Sequence, residues 1–423
     1  MKKFFFAAML IAVVSGAVFA QELKFDGYLN SGLGIIATDE KDADPLIKAF
    51  GNDSEQNGYR FRLNGSYTNE DGNAGARFRF QSQARLDQAG YFSLPYAYGW
   101  VKFLNNIFTL NGGIVDDGTW ATGDWWIGDD VGEGLGMLLR ATPISGLDLG
   151  FHAYVISQQS GGSNNILNFS GGPPNFANSV PKLKDAKYVF SGAYLMPETF
   201  RASVTFRMKN KAGWDGTHPS DPAYDDQYDG RDESSKLVGD LRLLAVQNLT
   251  AVVSFSLDKL EDFSDTGDII ISETFGYRID SLSFGLNAVQ FLYNRVDADG
   301  DKVNFNPSML FNLWTSYAFG NIVPRLDLAY FMGGRSTVGG SGANTWHRRG
   351  FQNRPVAKDD EQDVSVFSVT PSARFNIDSR TFIEIGNKVN YDFGYEGAYK
   401  DKGNEDKKSR LSNAFYVDLR WTF

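Results

Sequence analysis

The stretch NAFYVDLRWTF, from Asn413 to Phe423, alternates apolar and polar residues. Its apolar positions are every second residue: Phe415, Val417, Leu419, Trp421 and Phe423. Successive side chains of a β-strand point to opposite faces of its sheet. The stretch therefore predicts a strand with one apolar face and one polar face.

The same alternation recurs in earlier stretches of the chain. It is found in ELKFDGYLNSGLGII (22–36), YRFRLNGSYT (59–68) and FRASVTFRMK (200–209). A soluble β-sandwich also alternates in this way, so the pattern predicts an all-β protein but does not distinguish a soluble protein from a membrane protein. The lengths of the connections between strands make that distinction.

The predicted connections alternate between short and long. Eight short links are expected at 69–73, 104–106, 143–145, 197–199, 246–248, 279–281, 320–321 and 378–380. Nine mostly long ones are expected near 37–56, 86–94, 116–133, 157–185, 210–235, 259–267, 293–305, 332–363 and 392–408. Short periplasmic turns and long extracellular loops are typical of transmembrane barrels. We therefore predict an antiparallel β-barrel of about 18 strands, with 16 as the alternative count.

Two predicted strands fit the pattern less well, at 95–104 and 268–278. In the second, Glu273 falls in the same phase as Ile269, Ile271 and Phe275. A bulge, a subunit contact or a misregistered strand would each explain a carboxylate at this position.

The first residues predict export from the cytoplasm. Two lysines precede a short apolar run from Phe4 to Val14, and small residues precede Gln21, so residues 1–20 are predicted to be a signal peptide and 21–423 the barrel. The chain contains no cysteine, which excludes disulfides and thiolate chemistry. Without Lys2 and Lys3 it has 39 basic and 51 acidic side chains, a net charge of −12, which argues against binding to nucleic acid.

With these signals, the chain resembles the outer-membrane porin family across about 400 residues. The resemblance implies contact with outer-membrane lipid, passage of small hydrophilic solutes, and assembly as a homotrimer. It also implies that the last strand, with Trp421 and Phe423, is an assembly signal recognised by the barrel-assembly machinery. In this family the third external loop folds into the barrel and narrows it.

Two oppositely charged regions match that family pattern. The polar phase of two neighbouring strands forms an arginine stripe of Arg60, Arg62, Arg77, Arg79 and Arg85. The third long loop, near 116–133, carries only acidic charges, at Asp116, Asp117, Asp124, Asp129, Asp130 and Glu133. Facing each other, they would form a charged constriction, because charged side chains around a pore set its ion preference. The acidic loops favour a weak preference for cations.

The long loops would also suit functions other than a diffusion channel. The loop residues Trp120, Trp125 and Trp126 could stack on sugar rings, as in a saccharide-selective channel, or pack the loop against the wall. Long loops at 210–235 and 332–363 would suit a surface adhesin. We expect no enzyme, cofactor or metal site, because only three histidines are present and no catalytic or calcium-loop motif is complete.

Overall fold

The computed structural model describes ten segments of the chain, all of which lie in or near β-strands. The described residues are 22–38, 45–49, 59–85, 88–115, 134–157, 187–208, 235–293, 308–333, 364–393 and 410–423. The predicted signal peptide at 1–20 lies outside them.

Twenty strand segments follow one another along the chain. They are β1 (Glu22–Thr38), β2 (Leu46–Ala49), β3 (Tyr59–Thr68), β4 (Ala74–Arg85), β5 (Gln88–Ser93), β6 (Ala97–Phe103), β7 (Phe108–Val115), β8 (Gly134–Ile144), β9 (Leu147–Ser157), β10 (Lys187–Met196), β11 (Phe200–Arg207), β12 (Lys236–Leu243), β13 (Leu249–Asp258), β14 (Asp268–Ile279), β15 (Leu282–Tyr293), β16 (Ser308–Tyr317), β17 (Ile322–Gly333), β18 (Val364–Asn376), β19 (Thr381–Asp392) and β20 (Arg410–Thr422).

These segments form one closed antiparallel barrel of 18 strands. Segments β2 and β3 pair with successive halves of β1, and β5 and β6 with successive parts of β4, so each pair occupies one strand position. The last strand, β20, pairs with β1 from Tyr28↔Thr422 to Thr38↔Ser412, which closes the sheet. Closure satisfies the backbone groups that an open sheet edge would leave exposed to lipid. The predicted fold class and strand count are confirmed.

The connections also follow the prediction at one rim. All eight short links lie between the expected strands, and β6 and β14 occupy the two stretches with the weaker pattern. Two predicted connections, 37–56 and 86–94, are wrong in part, because each contains a strand segment: β2 pairs with β1 through Leu33↔Ala49, and β5 extends the hairpin with β4 through Gln81↔Ser93 and Gln83↔Tyr91. The AGYF core of β5 alternates too briefly to be recognised as a strand. Between β13 and β14 lie a 3₁₀ turn (Leu260–Asp262) and a one-turn helix, α1 (Phe263–Thr266).

The two faces of the barrel differ in composition. Large apolar side chains are exposed on the outside, among them Leu33 at 56%, Leu241 at 54% and Leu313 at 52%. The alternate residues face the lumen and are mostly polar, and several of them, such as Asp418, are fully buried. Within the described segments, no helix is long and apolar enough to cross a membrane.

Candidate functional site

The lumen wall brings together four of the five predicted stripe arginines. On the hairpin of β3 and β4, Arg60 lies opposite Gln83, Arg62 opposite Gln81, Ser66 opposite Arg77, and Asn64 opposite Arg79. Because directly opposed residues share a face, the arginine side chains project from one side of the sheet. We call Arg60, Arg62, Arg77 and Arg79 the arginine wall. Arg85 ends β4, and its side chain is not among those described.

Neutral groups hold Arg62 in place. Its Nε and Nη2 atoms both donate to Gln81 Oε1, at 2.9 and 2.7 Å. Its guanidinium carbon lies 5.2 Å from the centre of the Tyr28 ring, and the guanidinium carbon of Arg420 lies 4.7 Å from the same centre. An amide and an aromatic face stabilise a cation without cancelling its charge. Two guanidinium groups are therefore held close together at this point of the wall.

A second tyrosine plays the same part for the β4 arginines. Arg79 Nε donates to Asn64 Oδ1 at 2.8 Å, and its guanidinium carbon lies 4.6 Å from the Tyr96 ring centre. Arg77 lies 5.8 Å from that ring and donates to the Tyr98 hydroxyl at 3.4 Å. The contacts of Tyr28, Tyr96 and Tyr98 with the arginines were not predicted from the sequence. Tyr28, an aromatic residue in the polar phase of β1, was the available signal.

A different arrangement lines β17 to β19, where arginines pair with carboxylates. Arg325 binds Asp327 through two hydrogen bonds, Nε to Oδ2 at 2.6 Å and Nη2 to Oδ1 at 2.7 Å. Arg374 donates from Nε and Nη2 to Glu384 Oε2, at 3.2 and 3.0 Å. We call Arg325, Asp327, Arg374 and Glu384 the paired wall. Each of these two arginines lies beside a negative charge, so each pair is close to neutral.

The paired wall is also closely packed. Glu384 is 2% exposed and accepts a further hydrogen bond at 3.0 Å from the hydroxyl of Tyr416, which is fully buried. The ring of Tyr416 fills the space beside Gly386, where a Cβ atom would collide with it. Lys388, 1% exposed, lies 5.8 Å from the same ring. This side of the lumen is therefore a polar core in which charges stabilise the barrel wall.

Two further ion pairs lie elsewhere on the lumen face. Arg140 pairs with Asp148, and Arg201 with Asp240 at 3.4 Å. Part of the inward charge is therefore paired along the barrel wall.

The remaining predicted site residues lie outside the described segments. They are the acidic residues Asp116, Asp117, Asp124, Asp129, Asp130 and Glu133, and the tryptophans Trp120, Trp125 and Trp126. Trp421 and Phe423 lie on the outward face at the closing ladder. The Phe423 ring stacks on Phe61 at 6.2 Å, and its backbone amide donates to Gly27 O at 3.0 Å.

Comparison with solved structures finds the same architecture in bacterial outer-membrane channels. OccAB1 of Acinetobacter baumannii superposes with a TM-score of 0.55 at 12% identity, covering 96% of this chain and 97% of that one. OccK2 (OpdF) of Pseudomonas aeruginosa, solved in complex with glucuronate, gives 0.52 at 11% identity, with 96% and 99% covered. OccK7 (OpdD) of the same organism gives 0.51 at 10% identity, with 95% and 99% covered.

The chain has the fold of the OprD/Occ outer-membrane porins. No protein-family model matches the sequence, and no curated protein matches it. The porin fold and the apolar exterior together make this an outer-membrane barrel. Identities this low are informative about architecture, and the function has to be argued from the residues of this lumen.

Proposed function

We propose that the protein is a passive diffusion channel for small hydrophilic solutes and ions across the outer membrane. A closed barrel of 18 strands with an apolar outside and a charged, polar inside supports this proposal. Solutes would move down their gradients through the lumen, and no covalent chemistry is required.

The arginine wall is the observation that carries the proposal. Arg62 and Arg79 donate to the neutral amides of Gln81 and Asn64, and with Arg60 and Arg77 they line this part of the lumen with positively charged groups. Charged side chains along a pore attract ions of opposite sign and set its selectivity. An arginine ladder held by neutral groups would suit a channel better than a sealed structural barrel.

The test is planar-bilayer conductance of the refolded mature chain, with the reversal potential measured in a salt gradient. Stepwise, stable conductance is the expected result. A correctly folded barrel that passes no current in any salt would show that the lumen is closed and would remove the channel proposal.

We also propose that the acidic segment 116–133 faces the arginine wall and narrows the lumen. Opposite charges across a narrow aqueous passage would orient dipolar solutes. Changing Asp124, Asp129 and Asp130 to Asn should move the reversal potential toward that of an anion-selective pore. An unchanged reversal potential would place these carboxylates away from the constriction.

A saccharide-selective channel is the second candidate. OccK2 (OpdF), which has this fold, was solved in complex with glucuronate, an anionic sugar. Here, Trp120, Trp125 and Trp126 would supply stacking faces and the arginine wall would bind the carboxylate. Saturable block of the current by glucuronate, weaker with neutral glucose, would favour this reading. Equal, unsaturable effects of both sugars would favour general diffusion.

We also propose that the chain interacts with the barrel-assembly machinery and with further copies of itself. Recognition of Trp421 and Phe423 by the barrel-assembly machinery predicts that deletion of Phe423 reduces the amount of assembled barrel, and normal assembly would contradict it. A homotrimer would be seen by native mass spectrometry as a species of three chains. An adhesin would lose cell binding, but keep conductance, when loops 210–235 and 332–363 are shortened.

A further inference from the structure

Tyr28 lies at the seam where the first strand of the barrel meets the last. It is directly opposite Arg62 on β3 and Thr422 on β20, and it shares their lumen face. The guanidinium carbons of Arg62 and Arg420 lie 5.2 and 4.7 Å from the centre of the Tyr28 ring. One aromatic side chain therefore contacts two arginines that come from opposite ends of the sequence.

The pairing of the strands does not by itself place Arg420 against Tyr28. Arg420 is directly opposite Asn30, and the residue opposite Tyr28 is Thr422, so the Arg420 side chain reaches the ring diagonally. Diagonal neighbours of a sheet are about 7–8 Å apart, a distance that a long side chain can span. The negative face of an aromatic ring attracts a guanidinium group. The ring therefore favours this one direction of the Arg420 side chain.

The two arginines differ in how firmly they are held. Arg62 donates two hydrogen bonds to Gln81 Oε1, at 2.9 and 2.7 Å, in addition to its contact with the ring. Like charges repel each other, so Arg420 is drawn toward Arg62 only because the ring attracts both. Without the ring, Gln81 would still hold Arg62. Loss of the Tyr28 ring should therefore displace Arg420 more than Arg62.

The guanidinium group of Arg420 lies close to the aqueous end of the lumen. Asp418, two residues earlier on the same face of β20, is fully buried and lies opposite Glu384. Arg420 is half-buried, and Thr422, two residues further along, is exposed. The direction of the Arg420 side chain therefore affects the electrostatic potential that a solute meets near Thr422.

We propose that Tyr28 is a positioning residue that holds Arg420 beside the arginine wall, so that the row of guanidinium groups continues across the closing seam. Fixed positive charge along a pore favours anions over cations. This consequence for selectivity rests on the proposed channel function. The contact of Arg420 with the Tyr28 ring can be tested in the folded barrel without any current.

A thiol placed opposite Tyr28 reports on this contact. The chain contains no cysteine, so Thr422→Cys introduces a single one. The measured quantity is the ratio of its modification rates by an anionic and a cationic methanethiosulfonate in the full mature barrel, with folding verified by heat-modifiable migration in gels. Tyr28→Leu should lower this ratio about twofold, as expected when a unit charge about 8 Å away moves off into water.

Two further substitutions of Tyr28 identify the group that acts. Tyr28→Phe keeps the ring and should retain the ratio of the Thr422→Cys barrel. Tyr28→Gln removes the ring but remains polar, as suits a wet lumen, and should lower the ratio as Tyr28→Leu does. An unchanged ratio in the variants without a ring, or an equal fall in Tyr28→Phe, would overturn the proposal.

Arg420→Gln separates positioning of Arg420 from a general effect on packing. Tyr28→Leu added to Arg420→Gln should change the ratio by less than about 1.2-fold, because the group that Tyr28 positions is already absent. A purely structural role of Tyr28 would give the same fall with and without Arg420. That result would also overturn the proposal.

Reversal potentials of the same variants in a salt gradient test the consequence for transport. Tyr28→Leu should move the reversal potential toward that of a cation-selective pore, in the same direction as Arg420→Gln and by a smaller amount. A shift toward anions, or no shift although the thiol ratio falls, would overturn the role of Tyr28 in selectivity. If no variant passes current while the thiol ratios follow the expected order, the channel proposal fails and the positioning of Arg420 by Tyr28 stands.

Discussion

The arginine wall and the paired wall use the same side chain in opposite ways. On β3 and β4, Arg62 and Arg79 are held by Gln81 and Asn64. On β17 to β19, Arg325 and Arg374 are held by Asp327 and Glu384. Both walls satisfy guanidinium donors, but the partners named on the paired wall are carboxylates, whereas Gln81 and Asn64 on the arginine wall are neutral amides.

The difference indicates a division of labour around the lumen. A buried ion pair is costly to break, because the remaining partner is left as an uncompensated charge, so the paired wall supports the barrel. An arginine bound to an amide costs less to remove, and its charge acts on whatever passes. Selectivity and stability should therefore respond to different substitutions.

The largest expected effect is on stability, at Glu384. Glu384→Ala removes the acceptor of both Arg374 and the buried Tyr416 hydroxyl. We expect the free energy of unfolding to fall by about 2–4 kcal/mol, measured by urea unfolding of the refolded barrel. The loss is smaller than for a fully buried ion pair, because the Arg374 side chain is 39% exposed and water screens its charge. Arg79→Gln is the comparison on the other wall and should cost about 1 kcal/mol or less. Equal losses would mean that the two walls do not differ in their structural role.

A second effect is on selectivity and is expected to be moderate. Arg62→Gln with Arg79→Gln removes two positive charges, while Arg325→Gln with Asp327→Asn removes none in net. We expect the first variant to raise the permeability ratio of cation to anion about twofold, since charges about 8 Å apart in water interact by about 0.5 kcal/mol. The second variant should leave the reversal potential near that of the wild type. The reverse ranking would show that the paired wall controls ion preference.

The smallest effect belongs to the short turn between β18 and β19. Backbone amides of Arg380 and Thr381 donate to Asp378 Oδ1 at 2.6 and 2.7 Å, and the Arg380 bond chiefly lowers the pKa of this exposed carboxyl. A lowered pKa stabilises the folded state above the unfolded pKa, and the gain is lost as the pH falls through the folded value.

Asp378→Ala should therefore be slightly less stable than the wild type at neutral pH, and the difference should shrink in acid. Asp378→Asn keeps an oxygen acceptor and should retain more of the stability at neutral pH than Asp378→Ala. A constant difference between wild type and Asp378→Ala across the titration would show that the charge of Asp378 does not contribute.

Most of the fold could be predicted from the sequence, because the alternation and the short links are local properties. The eight turns and the lumen phase of Arg60, Arg62, Arg77 and Arg79 followed directly. The partners of these arginines could not be predicted, since Gln81 and Tyr28 meet Arg62 only once the register between strands is known. The sequence also placed Glu273 in the apolar phase of its strand. A bulge at this position could be excluded only from the unbroken pairing of β14 with β13 and β15.

The most direct test of the arginine wall measures how charged reagents reach it from water. The chain contains no cysteine, so Ser66→Cys and Ser372→Cys would each introduce a single thiol. Both serines face the lumen directly opposite an arginine, Ser66 opposite Arg77 and Ser372 opposite Arg325. The measured quantity is the ratio of modification rates by an anionic and a cationic methanethiosulfonate in the folded barrel.

We expect this ratio to be several-fold higher for Ser66→Cys than for Ser372→Cys, because Ser66 lies among the four arginines of the arginine wall, whereas the arginine opposite Ser372 is paired with Asp327. Equal ratios at the two positions, or no reaction of Ser66→Cys in the folded barrel, would contradict this account.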